Sequence, residues 1–294
     1  MNRKRHPLFI LDQRNRWWVL LFNCWASTAN RGFLAVTAER GYAPTVDSTQ
    51  MPKLAAILNS LEKLYGAQEL AGPSNPYEMI LFVNCGYPAT DLSCTKGYKP
   101  LKAEVGTRPD QLLKASSAKI AKLTKDAGMF PELRAERLKL IARVTNENFG
   151  GDLNWAFARM MKDENTPLEK RLRRVKSALK EFPVIGEPTA DKILLFAAIA
   201  PVAAVPSAQT GVPQRILFGR EDKNYGKGYR AAQEGIAAQL PSEFKGRRRA
   251  YLLLKRHGQE ICKRTKPKCD ICPVSAACLY FQERRSKASR IVRE

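Results

Sequence analysis

The stretch CKRTKPKCDICPVSAAC, residues 262–278, decides how the rest of the chain is read. Its four cysteines, Cys262, Cys269, Cys272 and Cys278, fall at C-x6-C-x2-C-x5-C. Four thiolates gathered so closely are a metal-ligand set, and soft sulfur donors suit zinc or an iron–sulfur cluster; the chemistry of four cysteines leaves both open. Lys263, Arg264, Lys266 and Lys268 place four cations between the first two ligands. A metal that ties such a loop down makes a rigid cationic lobe, and the natural partner of that lobe is a phosphate backbone. A purely structural metal clip would show the same spacing.

Charge along the whole chain points the same way. The 294 residues carry a formal net charge of +22. Residues 245–294 hold fifteen Lys and Arg against four Asp and Glu, so half of the surplus lies in about one-sixth of the sequence. That asymmetry is the mark of a polyanion-binding face. A membrane surface fits less well, because no amphipathic segment with a broad apolar face is evident there. With 44% hydrophobic residues the chain can bury a substantial core.

Seven cysteines are present, and the three outside the cluster (Cys24, Cys85, Cys94) do not make a disulfide framework. A reducing, cytoplasmic compartment is the expectation. No apolar run reaches the roughly 18 residues that span a bilayer. Trp17–Ala29 imitates the apolar part of a signal peptide, but Asp12, Arg14 and Arg16 interrupt its approach. Residues 1–50 are read as an N-terminal extension, whether an appended helix, a mobile basic tail or the result of an upstream start codon.

Helical signals fill the middle of the chain. Leu54, Ile57, Leu58, Leu61 and Leu64 keep helical period until Gly66. Asn75-Pro76-Tyr77-Glu78 is a helix start, with Asn as cap and Glu three residues on. Thr107-Arg108-Pro109-Asp110 and Thr166-Pro167-Leu168-Glu169 read as starts of the same kind. Residues 128–150 are amphipathic, with Leu133, Leu138, Ile141, Ala142 and Val144 on the expected inner face. In Phe182–Lys192 (FPVIGEPTADK) one helix ends, a tight turn follows and another begins near Pro188. Gly186 is expected to supply a backbone angle that a side chain would forbid. Unpaired N–H groups at such a turn are a phosphate site, and an ordinary packing corner is the plainer alternative. Residues 224–230, glycine-rich and basic, read either as a phosphate contact or as a mobile turn, and the chain beyond Phe281 as a disordered basic tail.

Three segments together resemble the endonuclease III and adenine-glycosylase branch of the helix-hairpin-helix DNA glycosylase superfamily. They are the cysteine loop preceded by His257-Gly258, the run NPYEMILFVNCGYPATD at 75–91, and FPVIGEPTADKILLF at 182–196. The likeness covers roughly residues 54–282. It implies an all-α, two-lobed protein: a helical barrel lobe at 73–200 with its helix-hairpin-helix at 182–200, and a cluster lobe from 51–72 and 201–282. The extension 1–50 and the basic tail 283–294 lie outside. The resemblance favours a [4Fe–4S] cluster over zinc on the four cysteines. It implies double-stranded DNA, damaged or mismatched, as partner of a monomer, away from membranes. Val184, Ile185, Gly186, Pro188 and Thr189 would grip one phosphate run, and Lys263, Arg264 and Lys266 another. Tyr87 would wedge into the duplex or stack on a base.

The same likeness exposes departures. Where bifunctional members carry a nucleophilic lysine, this chain has Pro188. Where most carry an aspartate, it has Thr210 or Pro206, depending on the end from which the loop is counted. Where adenine-specific relatives carry a glutamate, it has Val83. Lys192, one turn past Pro188, Asp191 and Asp91 are the nearby substitutes, and each also reads as a structural or surface residue. The expectation is thus a base-excision protein, N-glycosylase-like and without lyase activity if active; the alternative is a non-catalytic protein that recognises damage or DNA structure.

Overall fold

Apolar residues at helical spacing and short capping sequences give a chain built almost wholly of helices. The computed structural model describes residues 52–291. The expectations placed on residues 1–50 and on Cys24 lie outside the described residues. Among these there are thirteen α-helices: α1 Leu54–Tyr65, α2 Pro76–Asn84, α3 Asp91–Glu104, α4 Pro109–Lys114, α5 Ser117–Leu123, α6 Pro131–Phe149, α7 Leu153–Lys162, α8 Leu168–Leu179, α9 Glu187–Phe196, α10 Gly211–Phe218, α11 Tyr225–Gln239, α12 Phe244–Glu260 and α13 Leu279–Ile291. Extended pairing among the described residues is limited to one bridge, Tyr87 to Gly128. The all-α expectation holds.

Two apolar cores form. One gathers α2 through α9, with Ile80, Leu81, Leu138, Ile141, Ile193 and Leu194 fully buried. The other joins α1 to α10, α11 and α12 through Ile57, Leu58, Leu61, Ile216, Leu217 and Leu254. Each fully buried aliphatic side chain of this kind contributes roughly 1.5–3 kcal/mol. Helix α12 serves both: Tyr251 packs into the first core, while Ala250, Leu253 and Leu254 pack into the second. Its arginines also reach across. Arg248 donates to the carbonyls of Leu195 (2.9 Å) and Phe196 (3.1 Å), and Arg247 to that of Pro201.

Helix ends largely follow the local chemistry. Asn75 accepts from the Glu78 N–H at 3.1 Å, and Gly66, at φ 70°, closes α1. Several expectations need correcting. Thr107 and Thr166 do not cap; their hydroxyls donate to Glu78 (2.6 Å) and Asp163 (2.6 Å), leaving Arg108 and Pro167 at the cap positions. Leu133 is exposed and its neighbour Arg134 is buried instead, because its guanidinium satisfies the carbonyls of Thr124 and Met129. Residues 225–230 are not a turn but the start of α11, with Asn224 accepting from the Lys227 N–H at 3.0 Å. The chain beyond Phe281 is helical to Ile291. Tyr280 and Phe281 pack on the second core, and Arg284 lies 5.7 Å from the Tyr280 ring.

Candidate functional site

The turn between α8 and α9 is held tightly. Ile185 N–H donates to the Phe182 carbonyl (3.3 Å), and Ala190 N–H to that of Gly186 (2.9 Å). Gly186 is in an extended conformation (φ −97°, ψ −176°), open to any residue, so the expectation of a special angle there is wrong. The strained position is Val184, at φ 67°. A β-branched residue in left-handed backbone is a true outlier, costing on the order of 1–2 kcal/mol. Its side chain is 54% exposed at the tip of the turn. Glu187, the first residue of α9, pairs with Lys176 (2.9 Å) and with Lys180, so its charge is met from α8. Much of the basic run in α8 is likewise used inside the protein: Arg174 pairs with Asp163, and Arg171 donates to the Met161 carbonyl.

Asn84, at the end of α2, joins this turn to a second feature. Its amide donates to Ile80 O (2.9 Å) and to Pro183 O (3.0 Å). Three residues on, Tyr87 is 48% exposed and its ring lies 5.9 Å from that of Phe130, itself 58% exposed beside Met129. The backbone forces this meeting. Tyr87 N–H donates to Ala127 O at 2.9 Å, and a Cβ on Gly128 would stand 1.7 Å from the Tyr87 carbonyl oxygen. An aromatic ledge of Tyr87, Met129 and Phe130 thus stands beside the hairpin. The sequence singled out Tyr87 alone; Met129 and Phe130 join it through a contact more than forty residues away.

Asp191 and Lys192 are adjacent in sequence and opposite in circumstance. Asp191 is 0% exposed. It accepts from Tyr229 Oη (2.8 Å) and Gln233 Nε2 (2.7 Å), and pairs with Lys176 at 2.6 Å. One carboxylate therefore ties α8, α9 and α11 together. Burial opposes the charge on Lys176, but Asp191 and Glu187 outweigh it and raise its pKa. Lys192 is half-buried against α3 and α12. Burial and then the nearby Lys255 lower its pKa, with Asp91 and Cys94 acting the other way. Asp91, third of the sequence candidates, opens α3 and is paired with Lys255.

The loop after α9 carries no acid at residues 205–212, and Val83 is half-buried against the first core. A carboxylate arrives from elsewhere. Glu221 lies against Gly211, where a Cβ would meet its Oε2 at 2.3 Å, and pairs with Arg215. A cavity of about 150 Å³ opens here, lined among others by Ser207, Gln209, Thr210, Gln214, Glu221 and Tyr225.

Cys262, Cys269, Cys272 and Cys278 all line one further cavity, together with Arg215 and His257 and without any acid. Among the described residues no three His, Cys, Asp or Glu are arranged to hold a single metal ion. Arg215 clasps the loop, donating to Lys263 O (2.9 Å) and Arg264 O (2.7 Å) and approaching Cys262 Sγ at 3.6 Å. His257 lies 3.6 Å from Cys272 Sγ and 3.1 Å from Tyr65 Oη, and burial lowers its pKa to about 4. Lys263, Arg264 and Lys266 face solvent on the outer side.

Comparison with known proteins agrees with this architecture. No family model matches the chain. It is 26% identical to endonuclease III of Escherichia coli K12 over 210 residues, 71% of this chain and 86% of that protein. It is 27% identical to a thymine/uracil-DNA glycosylase of Methanothermobacter thermautotrophicus over 175 residues, 59% of this chain and 68% of that one. A solved endonuclease III–DNA covalent intermediate superposes with a TM-score of 0.59 at 18% identity, covering 79% of this chain and 97% of the other. A thermostable thymine-DNA glycosylase gives 0.58 at 21% identity, with the same coverage.

The chain resembles endonuclease III in sequence and shares the fold of the endonuclease III-like DNA glycosylases.

This endonuclease III-like chain nevertheless keeps Pro188, Val83 and an acid-free loop at the positions that the motifs align with catalytic residues. What its fold brings together instead is Asp91, Lys192 and Lys255 on one side, and Glu221 with the 207–211 loop on another. Lys255 and Glu221 had no signal in the sequence, because each reaches its place only through tertiary packing. Among the described residues no helix is long and apolar enough to cross a membrane.

Proposed function

We propose that this chain is a duplex-DNA-binding protein of base excision, of the N-glycosylase type, that opens DNA at a damaged or mismatched base. The observation that carries this reading is the Asn84 clamp, which sets the aromatic ledge beside the hairpin turn. A duplex gripped by its phosphates at the turn meets the ledge next to the grip. Exposed aromatic rings then take the place of a base lifted from the stack. Of the first helical positions, Pro188 offers no N–H, leaving Glu187 and Thr189 with Gly186 as backbone donors to phosphate. Lys263, Arg264 and Lys266 supply the second cationic contact. Relatives named as endonuclease III and thymine/uracil-DNA glycosylase, and solved relatives bound to DNA, support the reading.

The four cysteines fit a [4Fe–4S] cluster. Four thiols line one shared cavity, a donor set that suits a polynuclear group as well as zinc, and the likeness to endonuclease III favours the cluster. Bound there, the cluster would fix the loop against α10 and α12. Arg215 and neutral His257 are placed to hydrogen-bond its thiolates. Protein prepared without air that carries zinc and no iron would overturn this assignment.

A specific observation favours a second reading. Pro188, Val83 and the acid-free 205–212 loop leave the aligned catalytic positions without a charged group. A recognition protein on the same scaffold would keep the grip and the ledge and lack excision. Single-turnover excision on duplexes with different damaged or mismatched bases, read with and without alkali, separates the two. Excision of some base supports the glycosylase reading. Tight, lesion-dependent binding without excision supports the recognition protein, and no preference for lesion-bearing duplex overturns both.

A further inference from the structure

One groove on the first core has no part in the hairpin grip or the aromatic ledge. The end of α6, the helix α7 and one face of α8 enclose it, in two openings of about 660 and 510 Å³ that share Asn148, Phe149, Met160 and Arg174. Its floor is apolar, formed by the buried Phe149, Ala156 and Ala178. Local sequence sets its rim. Gly150, at φ 63°, ends α6, and Asp152 starts α7 by accepting from the N–H groups of Asn154 (2.8 Å) and Trp155 (3.2 Å). Trp155 is thereby fixed in the first turn of α7, where it is 59% exposed. Arg159, one turn on, lays its guanidinium 5.3 Å from the centre of the indole.

Cations along this groove are open, and its carboxylates are engaged. Arg159 has no hydrogen bond or ion pair to a described residue. Arg173 meets Glu169 at 3.4 Å with both side chains mostly in water (66% and 82%), a pair worth little that a phosphate can displace. Asp163 is held by Arg174 (3.1 Å) and by the Thr166 hydroxyl (2.6 Å), and the Asn148 amide donates to Glu181 at 3.3 Å. An indole beside a guanidinium offers flat faces on which a base can stack, and guanidinium groups meet phosphate oxygens in a planar fork. Bases inside a duplex stack on one another and present no face, so a strand that uses Trp155 must be unpaired there. Arg173 and Ser177 lie on one face of α8, and Glu181 carries the groove on to Phe182 and the hairpin turn.

We propose that the groove between α7 and α8 binds a single strand of nucleic acid that leaves the duplex held at the hairpin turn, with a base stacked on Trp155 and the backbone on Arg159 and Arg173. This rests on the duplex-binding reading given above. An acidic peptide would also satisfy the arginines. The open indole and the groove's continuity with the turn assigned to phosphate favour the nucleic acid. The consequence is a preference for a duplex with an unpaired tail over a blunt one.

The test compares a blunt duplex with the same duplex carrying a thymidine tail, made in both strand polarities, by fluorescence anisotropy with the full-length protein. The expected result is at least about tenfold tighter binding of one tailed form, in line with the worth of a stacked base. Trp155→Ala should remove most of that gain and leave blunt-duplex affinity within about twofold, since the stacking platform alone is lost. An unchanged melting temperature checks that the fold is kept, as the exposed position of Trp155 allows. Arg159→Gln combined with Arg173→Gln should make the salt dependence of tailed-duplex binding shallower, by about 1.4 in the slope of log affinity against log salt. No gain from either tail, or a gain that survives both changes, overturns the groove assignment, and blunt-duplex binding then keeps the duplex reading intact. Binding of an acidic, phenylalanine-containing peptide that Trp155→Ala abolishes, with no gain from a tail, overturns it in favour of a protein partner. Failure of the wild-type protein to bind any of the duplexes overturns both readings.

Discussion

Replacing Asp191 with alanine tests whether this buried carboxylate is a tie between helices or part of the chemistry. The side chain is fully buried, receives two hydrogen bonds and pairs with Lys176. Its partners would fare unequally in Asp191→Ala. Tyr229, only 3% exposed, would lose its acceptor, and an unsatisfied buried hydroxyl costs about 1–3 kcal/mol. Gln233 would keep the Ala203 carbonyl at 3.1 Å, and Lys176 would keep Glu187 at 2.9 Å. Breaking a buried pair by removing one member costs about 3–5 kcal/mol when the other is stranded. With Lys176 not stranded, a total of about 3 kcal/mol is expected. Asp191→Asn keeps an acceptor for Tyr229 and should cost roughly half as much. Urea unfolding followed by circular dichroism reads this as a midpoint lowered by about 1 M for alanine at an unchanged slope. The ion pair adds a pH signature. The pKa of Lys176 is raised in the folded protein, so its stabilisation is complete below the unfolded lysine value, near pH 10, and fades as pH rises through the folded value. The gap between wild type and Asp191→Asn should therefore narrow only in strong alkali. A loss under about 1 kcal/mol for alanine, or equal losses for alanine and asparagine, would refute the tie.

Other expectations follow from single features. Val184→Gly relieves left-handed strain of on the order of 1–2 kcal/mol against about 0.5–1 kcal/mol of added chain entropy, so a small net gain in stability is expected by denaturation. Gly128→Ala forces a methyl into the Tyr87 carbonyl, and should destabilise the protein by about 2 kcal/mol or more while weakening binding to lesion-bearing duplex. Cys269→Ser should lower iron content, thermal stability and duplex affinity together, because metal binding is coupled to folding; unchanged binding would make the loop dispensable. Duplex affinity should fall steeply with salt, and a flat plot of log affinity against log salt would remove the phosphate-grip reading.

Much of this was legible along the chain. Asn75 at the start of α2, Gly66 at the end of α1 and the cysteine spacing are local signals, each set by neighbours within a few residues. Helix type follows from apolar period, which is why the all-α class could be read directly. What stayed hidden has a common cause. Leu133 and Arg134 exchange the burial expected of them because the Arg134 guanidinium reaches in to the carbonyls of Thr124 and Met129. Gly186 drew attention as the glycine of the turn, yet the left-handed angle falls on Val184, which no composition rule marks. Phe130 reaches Tyr87 through Gly128, and Lys255 reaches Asp91 across more than 160 residues. Such meetings are properties of the packed chain, and periodicity holds no record of them.

Helix α12 carries a mechanical consequence. Because one helix is embedded in both cores and its arginines are fastened to the end of α9, any change in the angle between the two cores would have to break those contacts. On the duplex-binding reading proposed above, adjustment falls more readily to the nucleic acid, whose bending costs of order 1–6 kcal/mol and depends on how stiff the local sequence is. A damaged or mispaired step bends more cheaply than an intact one. A scaffold fastened in this way would thus weigh a duplex by its compliance before any side chain inspects a base.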